Sequence, residues 1–425
     1  MLQAVGRIWG SLCTALVLFL VARSLPGAEF GRLTFYMTLF GLVDSWADCG
    51  TSTAVIQGTA HQRSRLFAYL QAGRRVRTMT AVVGWLVIVG LAVSFQEPGP
   101  LWIAAAALYP FSRILELSTV VYQNDLEWRV PVATRSVAAT LRLAFAVGLW
   151  TAGVRDASVY LFTHALGLTV GNVLLHWIAR SKLPAQPADG STHSSTALFR
   201  AAWPLGLTAI VQQAYFYVDN LFVRQLEGDV ALGHYNAAVR IISLLLMVGA
   251  YATSTSLPWL VRAYEEGHLA AATARLGQGL QAAAGLLLGL ITPWSAELLA
   301  WLFGSPFAAA GVSLQWLLVG ALAVYAGGPL LTGLLATGAT QLVLRVALSA
   351  LAVNLVGNTW LVPRFGHEGA AMATVATEVW IGLASVLALR RIGVRLTHKP
   401  LAWLGGPACF VAAVLLSEAV SRFAS

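Results

Sequence analysis

The chain has 425 residues, 58% hydrophobic and 11% charged, with a mean hydropathy of +0.71 and a formal charge of +9. A soluble globular chain carries about 25% charge, so this composition excludes a soluble protein, and no polar segment is long enough for a sizeable soluble domain. In a soluble protein the positive charge would suggest nucleic acid. Here its distribution over the loops decides, and no nucleic-acid partner is expected.

Apolar runs long enough to cross a hydrocarbon core of ~30 Å recur roughly 13 times, over residues 5–24, 31–57, 77–95, 101–122, 131–151, 157–179, 201–224, 233–258, 272–295, 308–333, 341–361, 369–389 and 400–420. The first is read as one arm of a helical hairpin and not as a secretory leader, because a second apolar run follows after a short polar turn. Cys13, Cys49 and Cys409 fall inside spans and read as small core residues, neither a disulfide framework nor a metal cluster. With the N-terminus in the cytoplasm, 17 of the 27 Lys and Arg lie in cytoplasmic segments, 6 in external ones and 4 within spans, the positive-inside signature. Its strongest contributor is HQRSRLFAYLQAGRRVR, with Arg63, Arg65, Arg74, Arg75 and Arg77 read as a headgroup-facing loop.

The longest internal polar stretch, SKLPAQPADGSTHSSTALF, divides the spans into six, six and one. The expected organisation is an N-terminal six-helix bundle over 1–180, a cytoplasmic linker over 181–199, a C-terminal six-helix bundle over 200–395 and an additional transmembrane helix over 396–425. Internal likeness supports it. LPGAEFGRLTFYMTLFGLV is echoed by LEGDVALGHYNAAVRIISLL, each an acidic turn leading to a glycine (Gly31, Gly233) that opens a long helix. A weaker echo sets GVRDASVYLFTHALG beside GHEGAAMATVATEVW. Two similar six-helix halves are the architecture of many transporters, which bind substrate between the halves; the pattern favours a carrier over an enzyme. Pro204, Pro258, Pro293 and Pro329 mark expected kinks.

These segments also resemble the polysaccharide transporters, which include the O-antigen and exopolysaccharide repeat-unit flippases. FLVARSLPGAEFGRLTFYMTLFGLVDSWADCGTSTAVIQ is similar to the family's opening, with an Asp-x-Gly-hydroxyl-small motif at Asp48, Gly50, Thr51 and Ser52. YFYVDNLFVRQLEGDVALGHYNAAVRIISL resembles the seventh-to-eighth helix stretch, with Asp219 and the turn from Gly233 to Tyr235. LLATGATQLVLRVALSALAVNLVGNTWLVPRFGHEGAAMATVATEV resembles the eleventh and twelfth helices, including Pro363, Gly366, Gly369 and Ala370. The resemblance implies an all-α fold of two six-helix bundles around a central cavity, that of the multidrug/oligosaccharidyl-lipid/polysaccharide exporter superfamily. It also implies a polyprenyl-diphosphate-linked oligosaccharide as cargo. Family members have 12 or 14 helices, so the thirteenth segment here is a departure.

Ionisable side chains inside spans mark pathways or partners by default. Arg113, Arg135, Arg142 and Arg240 stand against Asp44, Asp48, Glu116, Asp219 and Glu378. Asp44 and Asp48 share one helix face, as do Arg113 and Glu116, and Arg135 and Arg142. Two readings stand side by side. In one, Asp44 and Asp48 are counter-ions for Arg113 and Arg142, locking helices together. In the other, Arg113, Arg135, Arg142 and Arg240 face a cavity and grip a diphosphate bidentately, with Arg345 at the cytoplasmic mouth. Glu378, in TVATEVW, has no obvious basic partner and is a candidate for proton coupling. Asn354 and Asn358 suit interhelical hydrogen bonds or sugar hydroxyls. Arg7, Arg200 and Arg224 read as headgroup anchors.

A membrane-embedded glycosyltransferase or polymerase would need an acidic external loop, and none is long enough. No Ser/His/Asp arrangement, metal spacing or phosphate-binding glycine loop appears, so no enzymatic activity and no cofactor are expected. A cation-coupled multidrug antiporter is the rival within the same fold; mid-depth arginines favour an anionic cargo. The expectation is a flippase of the bacterial cytoplasmic (inner) membrane, carrying lipid-linked oligosaccharide outward for O-antigen, exopolysaccharide or capsule biosynthesis. Membrane lipids, a proton or sodium ion for coupling, and a polysaccharide polymerase or glycosyltransferases are its expected partners.

Overall fold

The computed structural model describes residues 2–59, 63–183, 194–394 and 405–424. The linker segment 184–193, the loop residues 60–62 and the approach to the last span, 395–404, lie outside the described residues. The described residues are helical with no strand, as a bilayer requires of a chain that must pair its own backbone groups. Eight helical segments are long and apolar enough to cross a membrane, and the chain is a multi-pass membrane protein. It divides into two compact units, residues 1–217 and 218–425.

Unit 1 contains α1 (Leu2–Ser24), α2 (Gly27–Asp48), α3 (Thr51–Thr59), α4 (Leu66–Ser94), α5 (Pro100–Ala106), α6 (Tyr109–Glu116), α7 (Thr119–Asn124), α8 (Arg129–Thr151), α9 (Ala157–Ala179) and the start of α10 (Ser195–Glu265). α1 lies along α8, and α9 packs on α5, α6 and α8. The expected second span is two helices. Pro26 precedes α2, and Cys49 closes it in the left-handed conformation, donating its N–H to Ser45. Gly50 follows at φ 74°, so α3 starts in a new direction.

That break is also a close backbone crossing. A Cβ on Gly50 would lie 2.5 Å from the carbonyl oxygen of Ala202, and one on Gly206 would lie 2.5 Å from the Cys49 carbonyl. Below the crossing Val55, Leu66, Leu70, Leu117, Val121 and Leu198 form a buried cluster joining α3, α4, α7 and α10. The expected fourth span is three short helices, α5 to α7, with turns near Ala107 and Ser118 and Pro110 in the first turn of α6.

Unit 2 contains the rest of α10, then α11 (Leu269–Ile291), α12 (Ser295–Phe303), α13 (Gly311–Ala336), α14 (Thr340–Arg391) and α15 (Gly405–Ala424). α10 and α14 are each broken once, at Gly228 (φ 86°) and Gly366 (φ 58°). Glycine and not proline makes these breaks: Pro329 and Pro363 sit inside helices, whereas only glycine adopts positive φ without strain. Gly31 and Gly233, expected to open helices, lie inside them, because the chain turns earlier, at Pro26 and Gly228. The two breaks in the unit are tied together by Glu227, whose carboxylate accepts the His367 N–H at 2.6 Å. α15 docks on α11 through a glycine seam; a Cβ on Gly285 would lie 2.3 Å from the carbonyl oxygen of Gly406. With lipid tails as apolar as the helices, such small-residue contacts carry the packing.

Candidate functional site

In unit 1 three arginines converge on Glu116, apart from a second group in which Arg32 pairs with Glu29 and Glu97. Glu116 Oε1 lies 3.2 Å from Arg113 Nη1 and 3.2 Å from Arg135 Nη2, and its Oε2 lies 3.1 Å from Arg77 Nη1. Arg113 also reaches Asp44, with Nε 2.7 Å from Oδ1 and off the N–H axis, while the Tyr109 hydroxyl donates to the same oxygen at 2.7 Å. Four elements thus meet in one network: α2 with Asp44 and Asp48, α4 with Arg77, α6 with Arg113 and Glu116, and α8 with Arg135.

Arg77, expected in a headgroup-facing loop, lies inside the protein. α4 begins at Leu66, so Arg77 lies three turns inside a helix and not in a loop. It is fully buried: Nη2 pairs with Asp48 and donates to Ser52 Oγ at 2.7 Å, Nε donates to Thr51 Oγ1 at 2.9 Å, and Nη1 donates to the Arg113 carbonyl. Asp48 in turn accepts from Gly50 N–H at 3.2 Å and from Ser52 Oγ at 2.7 Å. The Asp-x-Gly-hydroxyl-small motif is therefore a receptor for one arginine, with the Gly50 turn swinging both hydroxyls toward it. Asp48, expected to pair with Arg113 or Arg142, pairs with Arg77 because the chain breaks after it.

Side-chain exposure grades the network from base to surface. It is 0% for Arg77, 10% for Glu116, 17% for Arg113, 32% for Asp44 and 60% for Arg135. Three guanidiniums balance three carboxylates, so the cluster is neutral, and a neutral, fully partnered cluster is tolerable at membrane depth. Two further arginines stand outside it. Arg142 makes no ion pair among the described residues; its Nε donates to Ala138 on its own helix at 3.3 Å, and its stem packs where Gly167 leaves room on α9. Arg74, on α4, keeps its Nε and Nη2 buried without a hydrogen-bond partner.

Unit 2 shows a smaller ion pair and several buried polar groups, and no network of that size among the described residues. Asp219 is buried; it accepts the hydroxyls of Tyr235 and, at 3.3 Å, Thr374, and its Oδ1 has no partner. Asn358 donates to the carbonyl and the side chain of Asn354, at 2.9 and 3.0 Å, a contact within α14 and not between helices. Arg240 is partly buried on α10 and Arg345 is exposed near the start of α14. Arg224 is no headgroup anchor: the break at Gly228 folds Asp229 back to it, and the two form a pair at 2.8 Å with the guanidinium buried. Glu378 is buried, meets no hydrogen bond or ion pair among the described residues, and lines a cavity of about 730 Å³ between α11, α13, α14 and α15. Among the described residues no group of His, Cys, Asp and Glu is placed to hold a metal ion.

The chain shares its fold with the structure titled lipid II flippase MurJ in an inward closed conformation (TM-score 0.71, 12% identity, 98% of each chain covered). It shares it also with a variant of the Vibrio cholerae MATE transporter VcmN (TM-score 0.60, 14% identity, 95% of this chain and 99% of that one). A third match is an inward-facing multidrug resistance MATE family transporter of the MOP superfamily (TM-score 0.65, 12% identity, 95% of each). The fold is the one that these flippase and transporter structures share. A family profile described as polysaccharide biosynthesis protein matches residues 3–264, more than half of the chain, and the chain belongs to that family. The MatE profile matches residues 204–360. No curated protein matches the chain in sequence.

Proposed function

We propose that the chain is a flippase that carries polyprenyl-diphosphate-linked oligosaccharide units from the cytoplasmic to the external leaflet of the bacterial inner membrane for polysaccharide biosynthesis. The observation that carries this reading is Arg142, a guanidinium with no carboxylate partner among the described residues, on the helix that also supplies Arg135 to a neutral network whose outer members, Arg113 and Arg135, are partly exposed. An unpaired cation there is costly unless an anion visits it. A diphosphate presents the paired oxygens a guanidinium fork binds. In this reading Arg142 takes the diphosphate first. Arg135 and Arg113 then exchange Glu116 and Asp44 for phosphate oxygens, while Arg77, sealed by Asp48, Thr51 and Ser52, stays as the fixed base.

The cycle proposed is alternating access of two bundles, 1–180 and 200–395, joined by the cytoplasmic linker 181–199, with 396–425 as an added helix and the N-terminus in the cytoplasm. Asp219 and Glu378 are the proposed coupling positions for a proton or sodium ion, and Arg240 and Arg345 the second-half contacts with the headgroup. The test is complementation of a flippase-null strain. Arg142→Ala abolishes polysaccharide export with normal membrane levels of protein, and Arg142→Lys retains part of it; full export by Arg142→Ala contradicts the proposal. In the same strain a cysteine at position 65 stays unlabelled by external thiol reagents in intact cells, and labelling would invert the topology.

A further inference from the structure

The breaks of α10 and α14 meet at one end of unit 2, the end that the proposed topology places outside. Glu227, beside Gly228, accepts the His367 N–H at 2.6 Å, and its carboxylate occupies the space that a Cβ on Gly366 would need. Unit 1 repeats the device. Glu29, in the first turn of α2, accepts the Ala157 N–H at 3.0 Å where α9 begins. In each unit a glutamate from one turn holds a backbone N–H of another, a helix-start N–H with no carbonyl of its own helix to meet.

The surroundings of the two clasps differ. In unit 1 Arg32 pairs with Glu29 at 2.7 Å and with Glu97 at 3.5 Å, and the Tyr36 hydroxyl donates to Glu97 at 3.3 Å. A guanidinium keeps its charge throughout the physiological pH range. In unit 2 two half-buried histidines stand there instead. His367 Nδ1 lies 2.7 Å from Ser313 Oγ on α13, and the His234 ring of α10 stands 6.5 Å from the His367 ring, centroid to centroid. His234 also meets the buried Phe307 at 5.5 Å, in the turn Ser305–Ala310 between α12 and α13. The α10, α13 and α14 segments and that turn therefore come together at an imidazole pair, and imidazole is the group that ordinarily gains its charge at about pH 6.5.

Among the described residues no carboxylate forms an ion pair with either ring. Glu227 holds the His367 N–H, Asp229 pairs with Arg224 at 2.8 Å, and Arg364 stacks on the Trp360 ring at 4.3 Å while donating to the Trp360 carbonyl at 2.6 Å. Glu368 follows His367 on α14 and is half-buried. One imidazolium is tolerable beside Glu227, but a second positive ring at 6.5 Å is repelled by the first. Parting the rings relieves that repulsion, so the open form takes the second proton more readily than the closed one, and closure that is present at neutral pH is lost as pH falls. We propose that His234 and His367 form a pH-sensitive clasp of unit 2, which holds these turns together while at most one ring is charged and lets them part when both are. Unit 1, clasped by Arg32, stays closed over the same range. The proposal is independent of the cargo, and the topology decides only which compartment's acidity is sensed.

The test is hydrogen–deuterium exchange of the purified full-length protein in detergent at pH 7.5 and 5.5, read by mass spectrometry after correction for the intrinsic pH dependence of amide exchange. The expected result is at least fivefold faster exchange at pH 5.5 in segments 225–236 and 362–369, with segments 27–36 and 155–161 of unit 1 changing less than twofold. His234→Gln and His367→Gln each leave a single imidazole and each abolish the acceleration; one suffices should the other fail to fold. A glutamate titrates at about pH 4.3, below this window, so acceleration that survives in the glutamine variants assigns the effect to other groups and overturns the proposal. A wild type that exchanges alike at the two pH values overturns it too, as does equal acceleration in the unit 1 segments.

Discussion

The two units handle buried charge in opposite ways. Unit 1 gathers Asp44, Asp48 and Glu116 with Arg77, Arg113 and Arg135 into one neutral network spanning α2, α4, α6 and α8. Unit 2 keeps Asp219 among hydroxyls and leaves Glu378 facing an apolar cavity. In the first, each carboxylate is needed by a guanidinium that could not otherwise remain in the membrane. In the second, Asp229 pairs with Arg224 and Asp219 takes two hydroxyls, while Glu378 meets no hydrogen bond or ion pair among the described residues. A charge with partners is part of the scaffold, and a charge without them, Arg142 in one unit or Glu378 in the other, is where a ligand or ion has something to offer.

That contrast is broken most directly at Arg77. Truncating one partner of a buried ion network costs about 3–5 kcal/mol, so Arg77→Ala is expected to lower the melting temperature in detergent by ten degrees or more; an unchanged melt would show that the network is not structural. A smaller but still large loss is expected from Gly50→Ala, which combines a positive φ with a methyl 2.5 Å from the Ala202 carbonyl oxygen. About 1–3 kcal/mol is at stake, read in the same melt, and no loss would mean that the α2–α3 break tolerates a side chain.

Asp44→Asn sharpens the comparison within unit 1. Its partner Arg113 keeps Glu116, and Asp44 is itself partly exposed, so the stability change is about 1 kcal/mol or less. If instead it matched Arg77→Ala, the graded exposure of the network would not reflect its energetics. Smallest of all is Glu378→Leu, where an unpartnered polar group gives way to an apolar one; stability stays within about 0.5 kcal/mol or rises. A large loss would reveal a partner for Glu378.

Much of this was legible before the structure. The all-α membrane fold follows from the composition and the recurrence of apolar runs, and the family follows from turn motifs spread over the chain. Asp44 and Arg113 were singled out because a charge inside a span is rare, and the structure brings them together with Tyr109. The helix breaks were less visible. Cys49 is an ordinary-looking apolar residue whose left-handed conformation depends on the Gly50 that follows and on α10 crossing behind it. Arg77 was hidden by its neighbours Arg74 and Arg75, which made it part of a loop-like basic run. A signal was present nonetheless: Gly73, Arg77, Thr80 and Gly84 fall on one face of α4, all buried, a stripe of small and polar residues that a lipid-facing helix does not need. The cavity of unit 2 had no linear trace, because its lining comes from α11, α13, α14 and α15, far apart in sequence.

The central claim is that an arginine without a carboxylate holds the phosphate of the cargo. The most direct measurement is translocation of a fluorescent polyprenyl-diphosphate sugar in proteoliposomes, comparing wild type with Arg142→Ala at matched reconstitution and matched melting temperature. Losing one charged hydrogen bond, about 1.5–3 kcal/mol, is worth roughly 10- to 100-fold in affinity. The account predicts that wild type moves the lipid and that Arg142→Ala, though folded, moves it at least tenfold more slowly at limiting substrate. Equal rates for the two proteins, or a folded wild type that moves only cationic compounds, would contradict it.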